Sequence, residues 1–292
     1  MKKVVTKLIG HYLNLLHQIS PETSGAHGFR VFCFPFRPKL KGHQRAFLEA
    51  ARHDRISVAG NDIQLYKWGV GKRKVLLMHG WQSHSFRWKA YVEAFPLDHF
   101  TIYAFDAPGH GLSSGSFLTV PLYSTVVERL SQQLGEIDTI VAHSLGGFTA
   151  LYTLARLPQL SVNKLVLLAS PGEATEFISF YQNTLKLSNR TIFAVRNHFE
   201  TVIGSAVESF SAPVFASTLR QPGLLIHDED DRETSFQNSL LIHRAWQRSE
   251  LQMTRGLGHN LKSPAVVTLV LDFINEKTPI AGERWRQKDG IV

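Results

Sequence analysis

Three residue types at telling positions suggest nucleophilic acyl chemistry. The serine is Ser144, within the run Thr139-Ile-Val-Ala-His-Ser-Leu-Gly-Gly147. A β-rich segment, residues 139–142, leads straight into it, and a helical segment, residues 145–157, begins straight after it. Such a strand–serine–helix turn lifts a hydroxyl above the end of a sheet in a strained backbone. Strand and helix crowd there, so small residues are needed two positions before and two after the serine. Gly146 meets the second need, and Ala142 adds a single methyl at the first. Taken alone, the stretch also fits a serine that merely caps a helix.

A serine needs a general base at neutral pH, and the base needs a carboxylate to orient it. His259 lies in Gly256-Leu-Gly-His-Asn260, a glycine-bearing loop after the last β-rich segment. The acids cluster in His227-Asp-Glu-Asp-Asp-Arg-Glu-Thr234, after the β-rich residues 224–226. Asp231 is the expected partner, because the intervening loop lets its carboxylate reach back toward His259. Asp228 is expected to shape the turn, and Glu229 and Asp230 to be solvated. An alternative acid position after residues 165–169 reads Ser170-Pro171-Gly172, with no carboxylate before Glu173. A developing oxyanion needs two preorganised donors. The backbone N–H of Leu145, at a helix start, is one; that of Trp81, in His79-Gly-Trp-Gln82, is the other.

These loops need a scaffold. From residue 56 onward, β-rich runs (56–58, 63–68, 75–78, 101–105, 139–142, 165–169, 224–226, 251–253) alternate with helical ones (86–95, 120–134, 145–157, 234–248, 265–275). That rhythm is the signature of an α/β domain with a mostly parallel sheet. Residues 171–222 break it with an aromatic-rich, helical stretch far longer than a crossover needs. It is expected to be an inserted helical cap beyond the carboxyl ends of the strands, where open α/β sheets bind ligands. Trp81, His143, Phe177 and Phe180 are candidates to line a substrate pocket there. Residues 1–55 are expected to pack on the core as a helical and extended segment, and residues 277–292 to form a tail.

Bulk properties narrow the class. The 292 residues are 43% hydrophobic and 19% charged, as in a globular protein. The charges behind a net +8 are scattered apart from the start (Lys2, Lys3, Lys7) and the segment Arg37–Arg45, without a nucleic-acid-binding motif. The single cysteine, Cys33, allows no intrachain disulfide, and with no signal-peptide pattern the expectation is cytoplasmic. No metal-ligand spacing is present, and neither a cofactor nor a metal is expected. An apolar set at helical spacing near the start (Val4, Val5, Leu8, Tyr12, Leu15, Leu16, Ile19) is read as packing on the protein body, with membrane association the lesser alternative.

In combination, His79-Gly-Trp81, Asp106-Ala-Pro-Gly-His-Gly-Leu-Ser113, Ala142-His-Ser-Leu-Gly-Gly147, the acidic loop to Asp231 and Gly258-His259 resemble the α/β-hydrolase family over roughly residues 56–276. The resemblance implies an eight-stranded sheet, a Ser144–His259–Asp231 triad and no required cofactor. It also implies that the Asp106–Ser113 loop is structural and lines the site. The expected activity is hydrolysis of small-molecule carboxylic esters with small or medium acyl groups. Acyltransfer, thioester hydrolysis and a non-catalytic binding protein on the same scaffold are the alternatives.

Overall fold

The computed structural model describes residues 2–275, so the expected tail, 277–292, lies outside the described residues. Two helices open the chain, α1 (Lys2–Ile19) and α2 (Pro21–Phe32). Ser20 divides them: its side chain accepts from the Thr23 N–H, and Pro21 suits a first helical turn. After α3 (Gly42–Glu49), the sheet begins with an antiparallel hairpin, β1 (Arg52–Val58) and β2 (Asn61–Trp68). Its turn is Ala59-Gly60, with φ of 47° and 75°. Two positive φ angles give the turn whose twist matches the flanking strands.

The rest is a βα alternation: β3 (Arg73–Met78), α4 (Lys89–Ala94), β4 (Phe100–Phe105), α5 (Val120–Leu134), β5 (Ile137–His143), α6 (Leu145–Arg156) and β6 (Val162–Leu168). Three helices follow, α7 (Ala174–Leu185), α8 (Asn189–Ile203) and α9 (Ala212–Ala216), before β7 (Gly223–Asp228), α10 (Phe236–Ala245), β8 (Ser249–Thr254) and α11 (Pro264–Asn275). The eight strands run in the order β1-β2-β4-β3-β5-β6-β7-β8. Only the β1–β2 and β2–β4 pairs are antiparallel.

Alternation along β5 explains the two cores. Ile140 and Ala142 join Tyr123, Val127, Phe148 and Leu151 of α5 and α6 on one face. Val141 points the other way, into a cluster with Trp88, Tyr91, Val266 and Val270. A central strand covered on both faces reads as a near-continuous apolar run, as Ile140, Val141 and Ala142 do. The loops that carry Trp81, Ser144, Asp231 and His259 follow the carboxyl ends of β3, β5, β7 and β8. They therefore converge on one end of the sheet.

Residues 1–55 form helices and an extended stretch, and Leu13 of α1 and Phe29 of α2 join the same apolar cluster as Ile140 and Ala142 of β5. The segment leans on the core further along: Phe47 of α3 stacks on Trp68, and Arg37 Nε donates to Gly109 O at 3.1 Å. The first two helices also lie against α7 and α8, while Phe29 of α2 meets Phe117 edge-on at 5.7 Å. Asn14 Nδ2 donates to Lys186 O at 3.0 Å, and the Tyr181 hydroxyl donates to Gly28 O at 2.8 Å. The reason is coverage: α8 buries Ile192, Val195 and Phe199 outside the sheet, and α2 supplies Phe29 to that cluster.

Candidate active site

Ser144 occupies a turn that few residues tolerate. Its φ and ψ are 52° and −124°, in a region costly for any side chain beyond glycine. The turn is held by its own main chain: Ser144 N–H donates to Leu168 O (2.9 Å), and Ser144 O accepts from the N–H groups of Gly147 (2.8 Å) and Phe148 (3.1 Å). A Cβ on Gly146 would lie 2.7 Å from both Met78 O and His79 O. The start of α6 thus passes over the end of β3 only because that residue has no side chain. Ala142 is fully buried and pairs with Met78 on one side and Leu167 on the other.

The structure brings the serine, the histidine and the acid together. Ser144 Oγ lies 3.0 Å from His259 Nε2, and His259 Nδ1 lies 2.8 Å from Asp231 Oδ2. Facing a carboxylate, Nδ1 is the protonated nitrogen, which leaves the Nε2 lone pair aimed at the serine hydroxyl. Burial would push the Asp231 carboxyl up, but hydrogen bonds from His227, His259 and the N–H groups of Glu233 and Thr234 outweigh it. The carboxyl is held well below the usual carboxylate range. Asp228 is buried at the end of β7 and accepts from Asp230 N–H, Leu257 N–H and Thr254 Oγ1 (3.0, 2.9 and 2.7 Å). It ties the acidic loop to the His259 loop and does not reach the imidazole. Glu229 pairs with Arg255 at the exposed surface.

The loop after β3 is pinned by two buried neutral histidines. His79 Nε2 accepts from Ala107 N–H at 3.0 Å, so its proton sits on Nδ1, which donates to Gly80 O at 2.7 Å. His110 Nε2 accepts from Gln82 N–H at 3.0 Å and its Nδ1 donates to Pro108 O at 2.9 Å. Burial lowers His79 to about 4 and His110 to about 3. Asp106 anchors the neighbouring loop by accepting from the Ser85 N–H and hydroxyl, the Tyr66 hydroxyl and the Leu112 N–H. Among the described residues, the N–H groups of Trp81 and Leu145 find no protein acceptor.

The expected pocket residues fare differently. Trp81 is half-buried, with its ring edge-on to His110 at 5.5 Å. Phe177 on α7 meets Phe148 edge-on at 5.6 Å, so the inserted helices do touch the helix that follows Ser144. Phe180 is a correction: one helical step from Phe177, it turns outward and is 72% exposed. His143 is another. It is only 4% exposed, and its Nε2–H donates to the backbone oxygen of His259 at 2.8 Å while the two rings meet edge-on at 4.9 Å. A residue just before the serine still belongs to β5, so its side chain points into the layer under the His259 loop. Burial depresses its pKa, which keeps the ring neutral.

Two residues of the cluster carried no sequence signal of their own. His227 Nε2 stands 3.2 Å from Asp231 Oδ2 and 3.1 Å from Thr234 O, and its Nδ1 stands 2.7 Å from Ser239 Oγ. Both neighbours of Nε2 are acceptors, so that nitrogen bears the proton. Thr234 Oγ1 donates to Asp231 Oδ2 at 2.9 Å. The one available hint was position: His227 follows the apolar residues 224–226 directly and lies four residues before Asp231. A separate cleft of about 480 Å³, lined by Lys72, Arg73, His99 and Phe100, opens where β3 and β4 begin, at the other end of the strands.

A strained serine turn, a buried hydrogen-bonded chain to a carboxylate and an eight-stranded sheet in this order define an α/β hydrolase. Residues 70–263 match the family described as serine aminopeptidase, S33, and the chain belongs to that hydrolase family. The bifunctional esterase/perhydrolase DCH of Acinetobacter calcoaceticus is 32% identical, over 62% of this chain and 82% of that protein. A pimeloyl-[acyl-carrier protein] methyl ester esterase of Hamiltonella defensa is 24% identical, and the match spans 64% of this chain and 65% of the relative, just under two thirds of its length. The structure of a lipase-like protein from Acinetobacter baumannii AYE superposes with a TM-score of 0.62 over 80% of this chain and 93% of its own, at 18% identity, a likeness of fold alone.

Proposed function

We propose that the protein is a serine esterase that cleaves small-molecule carboxylic esters with small or medium acyl groups. Ser144 is the nucleophile, His259 the general base and then acid, and Asp231 the group that fixes the imidazole. The observation that carries this reading is the pair of contacts on one ring, 3.0 Å to Ser144 Oγ and 2.8 Å to Asp231 Oδ2. In the first step Ser144 Oγ attacks the acyl carbon as its proton passes to His259 Nε2. The N–H groups of Trp81 and Leu145 stabilise the oxyanion. The imidazolium then protonates the leaving alkoxide. In the second half His259 takes a proton from water as its oxygen attacks the acyl-serine, and the imidazolium returns that proton to Ser144 Oγ as the acid leaves. His227 acts from behind, donating to the same carboxylate oxygen that His259 uses, so that Asp231 stays ionised and aligned. The inserted helices 171–222 serve as a cap over the core, 56–170 and 223–276, with Phe177 and Trp81 as walls of the acyl pocket. The reading involves no cofactor and sets the enzyme in the cytoplasm.

The test is hydrolysis of p-nitrophenyl esters of increasing acyl length, beside an aminoacyl p-nitroanilide, by wild type and Ser144→Ala. Ester turnover that falls by about 10³-fold or more in Ser144→Ala supports the reading. Turnover that survives the substitution contradicts the assignment of Ser144. Turnover of the anilide in preference to every ester would move the substrate class to peptides, as the description of the family suggests.

A further inference from the structure

The two long sides of α1 meet different surroundings. Gly10 and Leu13 are buried, and a side chain on Gly10 would collide with Leu185 O at the end of α7. The opposite side is open and apolar. Val4, Leu8, Tyr12, Leu15 and Ile19 recur at steps of four, four, three and four residues, with Val5 beside them. Leu8 is 64% exposed and Ile19 84%. A surface helix ordinarily turns its polar side outward once its apolar stripe is packed. This helix has a packed side and a second, unpacked apolar stripe.

The charges on α1 indicate the occupant. The helix holds no Asp or Glu, Lys7 and His11 are exposed along one border of the stripe, and Lys2 and Lys3 stand in the first turn. The whole chain carries a net charge of +8. A helix with an apolar stripe and an acid-free border that carries lysine matches the boundary of an anionic bilayer, where apolar side chains enter the acyl layer and Lys side chains reach the headgroups. Tyr12 fits the same boundary: its hydroxyl is engaged by His27 Nδ1 at 2.8 Å while its ring remains half exposed. Among the described residues no helix is long and apolar enough to cross a membrane, so any engagement through them is peripheral.

We propose that α1 is a peripheral docking helix that lays its Val4–Ile19 stripe into a membrane surface containing anionic phospholipid. The proposal goes beyond the esterase reading and does not depend on it. Because α1 rests on α7, whose Phe177 touches the helix that follows Ser144, docking would also set the inserted helices beside the lipid surface.

The experiment is sedimentation of the full-length protein with phosphatidylcholine vesicles, with and without added phosphatidylserine. Wild type is expected in the pellet with the mixed vesicles, to a degree that falls as salt rises. Leu8→Glu combined with Ile19→Glu is expected to weaken partitioning by at least about tenfold, since both side chains project from the packed body. The variant should keep the wild-type melting temperature, which separates lost docking from lost folding. Wild type that stays in the supernatant with both vesicle types overturns the proposal, as does a double variant that binds like wild type. A wild-type dimer that the double variant dissolves, together with no vesicle binding, assigns the stripe to a second copy of the chain and overturns it equally. Ester hydrolysis is read separately, so failure there leaves this result standing and the reverse.

Discussion

At the scale of the residue, Asp231 is the point on which the cluster turns. Its Oδ2 receives His259, His227 and Thr234, and its Oδ1 receives the N–H groups of Glu233 and Thr234. Asp231→Asn would present an amide where an acceptor is needed and favour the wrong imidazole tautomer. The expected loss is about 10³–10⁴-fold in kcat, read by steady-state kinetics. Asp228→Asn alters a buried acceptor of the turn and touches no part of the base. Its expected effect is a stability loss of about 1–3 kcal/mol in chemical denaturation, with a much smaller change in rate. The reverse ranking would make Asp228 the true partner. His227→Gln is expected to lower kcat roughly tenfold with KM unchanged, because the ring supports the carboxylate and meets no substrate. An unchanged kcat would reduce His227 to packing.

At the scale of the element, the turn at Ser144 depends on small neighbours. Gly146→Val would drive a branched side chain into Met78 O and His79 O, and Ala142→Leu would overfill the contact between β3, β5 and β6. Each is expected to cost about 1–3 kcal/mol or more and to lower activity out of proportion to the folded fraction, measured by denaturation beside ester turnover. Wild-type activity in Ala142→Leu would contradict the crowding argument. On α7, Phe177→Ala is expected to shift the preferred acyl length upward while leaving short-ester kcat near wild type; an unchanged length profile would remove Phe177 from the pocket. Much of this architecture was legible in the sequence because local signals agreed with the tertiary demand. Thr119 and Pro121 bracket the start of the helix at Val120–Leu134, and short apolar runs set between helical segments suit central strands. The misses have a common cause. Residues 52–55 and Asn61–Asp62 are polar, and hydropathy alone does not enrol them in β1 and β2, where pairing reaches Arg52↔Lys67. His143 and His227 were opaque because a strand-end histidine looks the same in sequence whether it lines a pocket or supports a loop. Phe180 failed because an aromatic-rich helix does not reveal which of its rings point outward.

At the scale of the whole molecule, one end of the sheet gathers the residues of the proposed chemistry, and buried imidazoles pin the loops beside them. His79 and His110 are neutral in the fold, lowered to about 4 and about 3 by burial. Unfolding returns each to its ordinary value near 6.5, so below that pH the unfolded chain binds more protons and gains on the folded one. Their support is complete above about pH 6.5 and is lost as pH falls toward about 4 and 3, at up to about 1.4 kcal/mol per pH unit for each group. The expected outcome is a melting temperature that is flat from pH 7 upward and falls steadily below about 6.5; a flat profile down to pH 4 would contradict it. The central claim, that Ser144 is a nucleophile activated by His259, is tested most directly by intact-mass analysis after exposure to a fluorophosphonate. The account predicts a single covalent adduct that maps to Ser144 and is abolished in Ser144→Ala and strongly slowed in His259→Ala. A folded wild-type protein that takes up no label, or an adduct that persists in Ser144→Ala, would contradict it.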